Sequence, residues 1–266
     1  MTATNEELRL AIVQPPMKWK TDENVELILD VLALAAAQGA AVCALPELAL
    51  TGFHRGIREE AVPATVDAAM ARVQTACRQH GIACTIGMPT FADDGAILDS
   101  YVFVAADGEI ALTVSKNGLT PAEQTFFRAG TERPIAPFAG RSCSTVMCRE
   151  IDDLEAIALQ WQAEAPDLVF WPSLVGHPPG TILPDGADSS DLGYEIGTAL
   201  LARRLGVHVV QSNWPMALNT PESTWLGESK VYAPDGEMLL KLPRDEAGIA
   251  VFTLGERSYA WTPLRG

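Results

Sequence analysis

The chain has 266 residues, of which 48% are hydrophobic and 20% charged, and its 19 basic and 34 acidic residues give a net charge of −15. That length suits one large α/β domain spanning 1–266, and the apolar share argues for a buried core and against disorder. The acidic excess, read here as a solubility feature, opposes nucleic acid or an anionic membrane as partner.

Five cysteines, at 43, 77, 84, 143 and 148, are odd in number and several sit in apolar runs, so no disulfide framework is expected. The start, Met1-Thr2-Ala3-Thr4-Asn5-Glu6-Glu7, is polar and acidic, which opposes export. No apolar run reaches membrane-spanning length, and the expected compartment is the cytoplasm.

Leu8 to Gln14 reads as a buried strand ended by Pro15-Pro16. Helical spacing follows over Asn24 to Ala37 (Val25, Ile28, Val31, Leu32, Ala35), with Gly39 as its stop. Ala41 to Leu45 is a short apolar run that delivers Glu47 just past its end. A second amphipathic helix (Val66, Ala69, Met70, Val73, Cys77) closes at His80-Gly81, and Ile82 to Met88 is the next strand. Tyr101 to Ala105 and Glu109 to Val114 then flank the turn signal Ala106-Asp107-Gly108. Ser142 to Met147 is a strand, Asp152 to Ala163 a helix, Asp167 to Trp171 a strand, Leu192 to Leu205 a helix and Val207 to Gln211 a strand. A second hairpin signal, Pro234-Asp235-Gly236, lies between Lys230-Val231-Tyr232 and Met238 to Leu242. Strand–helix alternation followed by a hairpin thus occurs twice, which fits two sheets with helices on their outer faces. The Gly/Pro/Asp-rich stretch 176–193 is the longest irregular segment, and a loop over a pocket is its natural role.

Three short segments carry usable chemistry. Glu47 follows Leu45-Pro46, Lys116 sits where a strand gives way to Asn117-Gly118, and Cys148 ends an apolar run before a helix. Taken singly, each has an ordinary alternative: a solvated turn carboxylate, a surface lysine, a small buried hydrophobe. A helix N-terminus beside Cys148 would favour the thiolate, and a partly desolvated Glu47 would have the raised pKa of a base. Cys43, Cys77, Cys84 and Cys143 read as core residues. Among the histidines, His80 suits a helix end and His208 a buried strand, while His177 in the irregular loop could stand near a pocket and pair with Cys148. P-loop, Gly-x-Gly-x-x-Gly, Gly-x-Ser-x-Gly and His-Glu-x-x-His motifs are missing, and Cys143 and Cys148 are too widely spaced for a Cys-x-x-Cys site.

Together, Leu45-Pro46-Glu47-Leu48-Ala49-Leu50-Thr51-Gly52-Phe53, Lys116 to Leu119 with Pro121 and Glu123, and Cys148-Arg149-Glu150 stand in an informative order. Gln211-Ser212-Asn213-Trp214, Gly227-Glu228-Ser229 and Pro234-Asp235-Gly236 come after them. In this the chain resembles the nitrilase, or carbon–nitrogen hydrolase, superfamily, in its amidase-like branch. The resemblance implies a four-layer α-β-β-α sandwich and a covalent mechanism with Cys148 as nucleophile and Glu47 as general base. It gives Lys116 the oxyanion, with the Arg149 N–H, and Glu123 the orientation of substrate and Glu47. It implies no metal and no organic cofactor, a small-molecule amide as substrate, and a homodimer or higher oligomer formed through the helices after the nucleophile, with Trp161 as a candidate interface residue.

Two departures stand out. Arg149 replaces an aromatic residue often found after the cysteine, and Asp153-Leu154-Glu155 replaces Phe-Pro-Glu. The Arg149 guanidinium either pairs with an acid such as Glu150 or Asp152 or reaches the pocket to clamp a substrate carboxylate. A nitrile or an N-carbamoyl compound would use the same residues, and a catalytically silent binding subunit is the alternative from another class. Retention of Glu47, Lys116 and Cys148 together opposes that last reading, and the compact length favours an amidase.

Overall fold

The computed structural model describes residues 7–176, 192–223 and 225–264. The expected irregular loop, apart from its ends, and His177 lie outside the described residues. The first strand, β1 (Arg9–Gln14), turns Leu10 and Ile12 to one side and Ala11 and Val13 to the other, and all four are buried. A strand covered on both faces shows a continuous apolar run where a half-exposed one alternates.

Helix α1 (Thr21–Ala37) begins at Thr21, ahead of the apolar periodicity, because the Thr21 N–H and hydroxyl both donate to the Glu60 carboxylate, at 2.8 and 2.9 Å. Glu60 itself ends the single turn α2 (Ile57–Glu60). Helix α3 (Pro63–His80) starts on a proline and stops at Gly81, whose φ of 63° is the left-handed cap that glycine supplies. Between and after these helices run β2 (Val42–Ala44), β3 (Ala83–Phe91), β4 (Ile97–Val104) and β5 (Ile110–Ser115).

The second half contributes β6 (Ala136–Phe138), β7 (Arg141–Thr145), α4 (Leu154–Gln160), β8 (Leu168–Ser173), α5 (Leu192–Leu205) and β9 (His208–Asn213). The hairpin β10 (Lys230–Tyr232) and β11 (Met238–Lys241) comes next, then β12 (Gly248–Thr253) and β13 (Ala260–Pro263). One sheet has the order β13-β12-β1-β2-β3-β4-β5 and the other β11-β10-β9-β8-β7-β6.

Three cores separate four layers, the α-β-β-α sandwich that was expected. Ala11, Val13, Cys43 and Cys84 pack with Ile28, Val31, Val66 and Val73 between the first sheet and α1/α3. Leu10, Ile12, Val42 and Phe103 meet Phe138, Phe170, Val210 and Val231 between the sheets. Val169, Trp171 and Val209 meet Ile157 and Leu201 beneath α4 and α5. Phe103 packs edge-on against Phe138 and Phe170, at centroid separations of 5.2 and 5.6 Å.

Strands β12 and β13 are not among the elements expected from sequence. β12 pairs antiparallel with β1 along its length, Arg9 opposite Thr253 through Gln14 opposite Gly248, so the end of the chain completes the first sheet. The helix expected over 152–163 is shorter, because Cys148–Asp152 takes up a 3₁₀ turn before α4 begins. Trp161 is corrected from interface to core. It is buried, its indole N–H donates to the Arg133 carbonyl at 2.9 Å, and the Arg133 guanidinium lies over its ring. His80 ends α3 and is exposed, while His208 opens β9 and is only half-buried.

Candidate active site

The C-terminal ends of β2, β5, β7 and β8 converge at one edge of the sandwich. Past β2, the chain carrying Glu47 lies across β3 at Gly87. The Gly87 N–H donates to the Pro46 carbonyl at 3.3 Å, and the Leu50 N–H to the Gly87 carbonyl at 3.1 Å. A Cβ on Gly87 would come within 2.1 Å of the Leu48 nitrogen, so only glycine permits this crossing. Leu48 holds a left-handed φ of 52°, a strain of about 1–3 kcal/mol that the hydrogen bonds to Gly87 on either side sustain. Glu47 is fully buried, its carbonyl accepting from the Trp214 indole N–H at 2.8 Å.

On β4 and β5, alternation turns Asp99 to the same side as Tyr101 and Phe103, and Lys116 to the same side as Leu112 and Val114. The Lys116 N–H donates to the Asp99 carbonyl at 2.8 Å. Lys116 has no exposed surface, and its ammonium donates to Glu47 Oε1 and to Glu123 Oε1, both at 2.6 Å. The second Glu123 oxygen accepts from the Thr120 N–H at 2.6 Å. Glu47, Asp99 and Glu123 each bring a carboxylate oxygen within 4.8 Å of the others, a set that could hold a cation. The Lys116 ammonium already fills that need.

Cys148 follows β7 on a sharp bend with φ 49°, another left-handed non-glycine residue. Its carbonyl accepts from the Trp171 indole N–H at 2.9 Å, and Sγ lies 3.9 Å from the Leu174 carbonyl. The expectation that a helix N-terminus favours the thiolate is corrected here. Cys148 opens only a short 3₁₀ turn, and burial, with Glu47 second, pushes the thiol up while Lys116 opposes. Such a thiol needs a base.

Burial raises the Glu47 carboxyl against the pull of Lys116. For Lys116, burial works to lower the pKa, but Glu47, Cys148, Asp99 and Glu123 surround the ammonium and hold it well above the ordinary value. The two directions agree once the charges are counted: several acids share one ammonium, so it stays charged. Burial, and then Glu47, raises Asp99 well above the ordinary value.

Glu150, read from sequence only as part of the cysteine motif, joins the lysine loop to the cysteine bend. Its carboxylate accepts from the N–H groups of Asn117, Gly118 and Met147 at 2.7, 2.8 and 2.7 Å. It also pairs with both guanidinium nitrogens of buried Arg133, each at 3.1 Å. Burial alone would raise this carboxyl, yet Arg133 and the backbone amides hold it below the usual range. Glu150→Gln leaves Arg133 without its counter-charge, and the expected loss in urea unfolding at neutral pH is about 3–5 kcal/mol. Because the native carboxyl is depressed, its contribution is present above an unfolded pKa of about 4.3 and fades as pH falls through the native value. The gap between wild type and variant therefore closes in acid, and a gap independent of pH would contradict this account.

Arg149 turns its guanidinium to Asp153 Oδ1 at 2.8 Å and to the Gly118 carbonyl at 3.4 Å. That favours the structural of its two possible roles, with Asp153 in place of the acids expected. A Cβ on Gly118 would lie 2.8 Å from Asp153 Oδ2, so a side chain there would displace the Asp153 carboxylate that holds Arg149.

Of the described histidines, His54 bonds the Thr51 carbonyl and the Gly56 N–H. Burial, with Arg141 second, lowers the pKa of His208. The Gln211–Trp214 motif supports the site from behind. Asn213 Oδ1 accepts from the Ser173 hydroxyl and the Val175 N–H, and its Nδ2 donates to the carbonyls of Val175 and Gly227, tying down the segment that carries Leu174. A cleft of ≈ 240 Å³ opens beside Glu123, lined by Phe53, His54, Ile57, Phe126 and Phe127 among others.

Residues 9–152 match the family model described as carbon-nitrogen hydrolase. The chain is 24% identical over 272 residues to an arylacetonitrilase of Aspergillus kawachii, covering 91% of this chain and 82% of that protein. An arylacetonitrilase of Aspergillus niger is 23% identical over the same coverage. Among solved structures, the amidase of Nesterenkonia sp. AN1 with acrylamide added at its active-site cysteine superposes with a TM-score of 0.77, at 23% identity and 94% of each chain. A cysteine variant of that amidase in complex with butyramide gives 0.78 at 23% identity, over 96% of this chain and 94% of the other.

Proposed function

The chain belongs to the carbon–nitrogen hydrolase family, and from that premise we propose that it hydrolyses a small amide through a cysteine thioester. The observation that carries this reading is the buried Lys116 ammonium held 2.6 Å from Glu47 and from Glu123, with Glu47 and Lys116 the charged groups that act most strongly on Cys148.

Glu47 takes the Cys148 proton as the sulfur attacks the carbonyl carbon. The third N–H of the Lys116 ammonium and the Arg149 N–H, which lies in the first turn of the 3₁₀ segment and has no acceptor within it, stabilise the oxyanion. Glu47 then protonates the departing ammonia or amine, and a water activated by the same carboxylate hydrolyses the thioester to the acid. Glu123 holds Lys116 from the other side. The chain would act as one catalytic domain, with no step that calls for a metal or organic cofactor.

Amide is favoured over nitrile by the molecules held in the Nesterenkonia amidase structures, acrylamide added at the active-site cysteine and butyramide in complex with a cysteine variant. The cleft beside Glu123 has a mixed lining, aromatic at Phe53, Phe126 and Phe127 and polar at His54, Arg55, Arg58, Thr125 and Asn219, which suits a small acyl group that carries a polar end. Ammonia release from butyramide, dicarboxylic ω-amides, N-carbamoyl compounds and nitriles tests the assignment, and turnover of nitriles alone would replace it.

Because burial raises Glu47, the acidic limb of kcat/KM is expected above the ordinary carboxyl value of about 4.3. Activity needs the ionised base and is lost as pH falls through that limb. Glu47→Gln should lose most of kcat with a smaller effect on KM. If His177→Ala silenced the enzyme and Glu47→Gln did not, a Cys–His mechanism would be the better account.

Among the described residues no helix is long and apolar enough to cross a membrane. The enzyme would act in the cytoplasm. Leu159 on α4 and Ile196 and Leu200 on α5 are exposed apolar residues, and they support a homodimer formed through these helices.

A further inference from the structure

Asp99 is a buried acid that the mechanism above does not use. It has no exposed surface, and among the described residues neither of its oxygens has a hydrogen-bond partner. Its Oδ2 lies 4.0 Å from the Lys116 nitrogen, beyond hydrogen-bonding reach. Two of the three ammonium N–H groups are committed to Glu47 and Glu123, and the mechanism assigns the third to the oxyanion.

An ionised carboxylate left in such a place without a donor is very costly, whereas the neutral acid has an O–H to give. The acceptor is beside it. Glu47 Oε2 is also buried without a partner, and the carboxylates of Glu47, Asp99 and Glu123 come within 4.8 Å of one another. We propose that Asp99 is a positioning residue, a neutral carboxylic acid whose O–H is donated to Glu47 Oε2 and which keeps that carboxylate ionised and correctly turned as the base.

The inference rests on reading Glu47 as the base. Three charged groups face Asp99: Glu47 after β2, Lys116 after β5 and Glu123 in the turn beyond it. Two carboxylates against one ammonium already leave an excess negative charge, which opposes a third ionisation. Burial acts in the same direction. The Asp99 proton stays in place through the cycle while Glu47 gains and loses the proton that comes from Cys148.

Asp99→Asn keeps a donor toward Glu47 but removes the acid, whereas Asp99→Ala removes both. With butyramide as substrate, Asp99→Asn should keep kcat within about threefold of wild type. Asp99→Ala should lower kcat about 10–100-fold, the worth of a hydrogen bond to a charged group, with KM little changed. Its acidic limb should also move to higher pH, because Glu47 loses the donor that favours its ionised form. Equal losses in the two variants, or an alanine variant like wild type, would overturn the proposal. Infrared spectroscopy supplies a readout independent of turnover and of the folding of the alanine variant. Wild type at neutral pH should show the C=O stretch of a protonated carboxyl that disappears in Asp99→Asn, and its absence would also overturn the proposal. Failure of the underlying reading looks different: Glu47→Gln would stay active while the infrared band persisted.

Discussion

Cys148→Ala is expected to abolish turnover, by at least about 10⁴-fold, because no other group can form the thioester. The fold should survive. Alanine takes the left-handed φ of 49° at the same strain as cysteine, and the sulfur's only hydrogen-bond contact among the described residues is the long one to the Leu174 carbonyl. Removing the thiol does not disturb the Glu150 contacts that shape the bend, since these run to the backbone of Met147, Asn117 and Gly118. Thermal unfolding should therefore stay close to wild type while ammonia release vanishes. Mass spectrometry of wild type with a slow amide should find the acyl group on Cys148. The other cysteines, 43, 77, 84 and 143, are buried in the cores between layers. An adduct on any of them, or full activity in the alanine variant, would sink the assignment.

How far the residues can be read in advance depends on the range of the forces involved. Helices α1 and α3 are legible because a single buried stripe repeats along each, and Gly81 announces the stop of the second. The three reactive side chains are legible because each sits in a short motif at a strand end. β12 is not, since the Gly248–Thr253 run becomes a strand by pairing with β1 at the opposite end of the sequence. Asp99 is hidden for a related reason. In sequence it is one polar residue near the start of an apolar strand, and only the pairing of β4 with β5 sets it beside Lys116. The period-2 pattern that aligns Asp99 with Tyr101 and Phe103 is the available signal. The role of Glu150 depends on the lysine loop and the cysteine bend meeting in space, which no local pattern encodes. Trp161 misleads because an aromatic residue near a helix end looks the same whether it faces Arg133 or a second chain.

Lys116→Met should cost both stability and activity, and the pH dependence separates the reasons. Methionine matches the length of the lysine stem and is at home in a buried site, so packing changes little. The loss is the ammonium that bonds Glu47 and Glu123 at 2.6 Å inside a site with no exposure at either Lys116 or Glu47. Breaking a buried pair by deleting one partner typically costs about 3–5 kcal/mol, because the remaining charge is left uncompensated. Glu47 is already raised by burial with Lys116 pulling against it, so removal of that pull raises it further. A carboxyl whose native pKa lies above its unfolded value of about 4.3 supports folding fully at low pH, and that support is lost as pH rises through the native value. The melting temperatures of variant and wild type should therefore lie closest in acid and diverge toward neutral pH. Turnover should fall by about 10²–10³-fold or more at every pH, since the oxyanion donor is gone whether or not the carboxylates are protonated. A constant gap in melting temperature across pH would show that Lys116 does not neutralise these acids. A variant that melts lower yet turns over normally would remove Lys116 from the oxyanion hole.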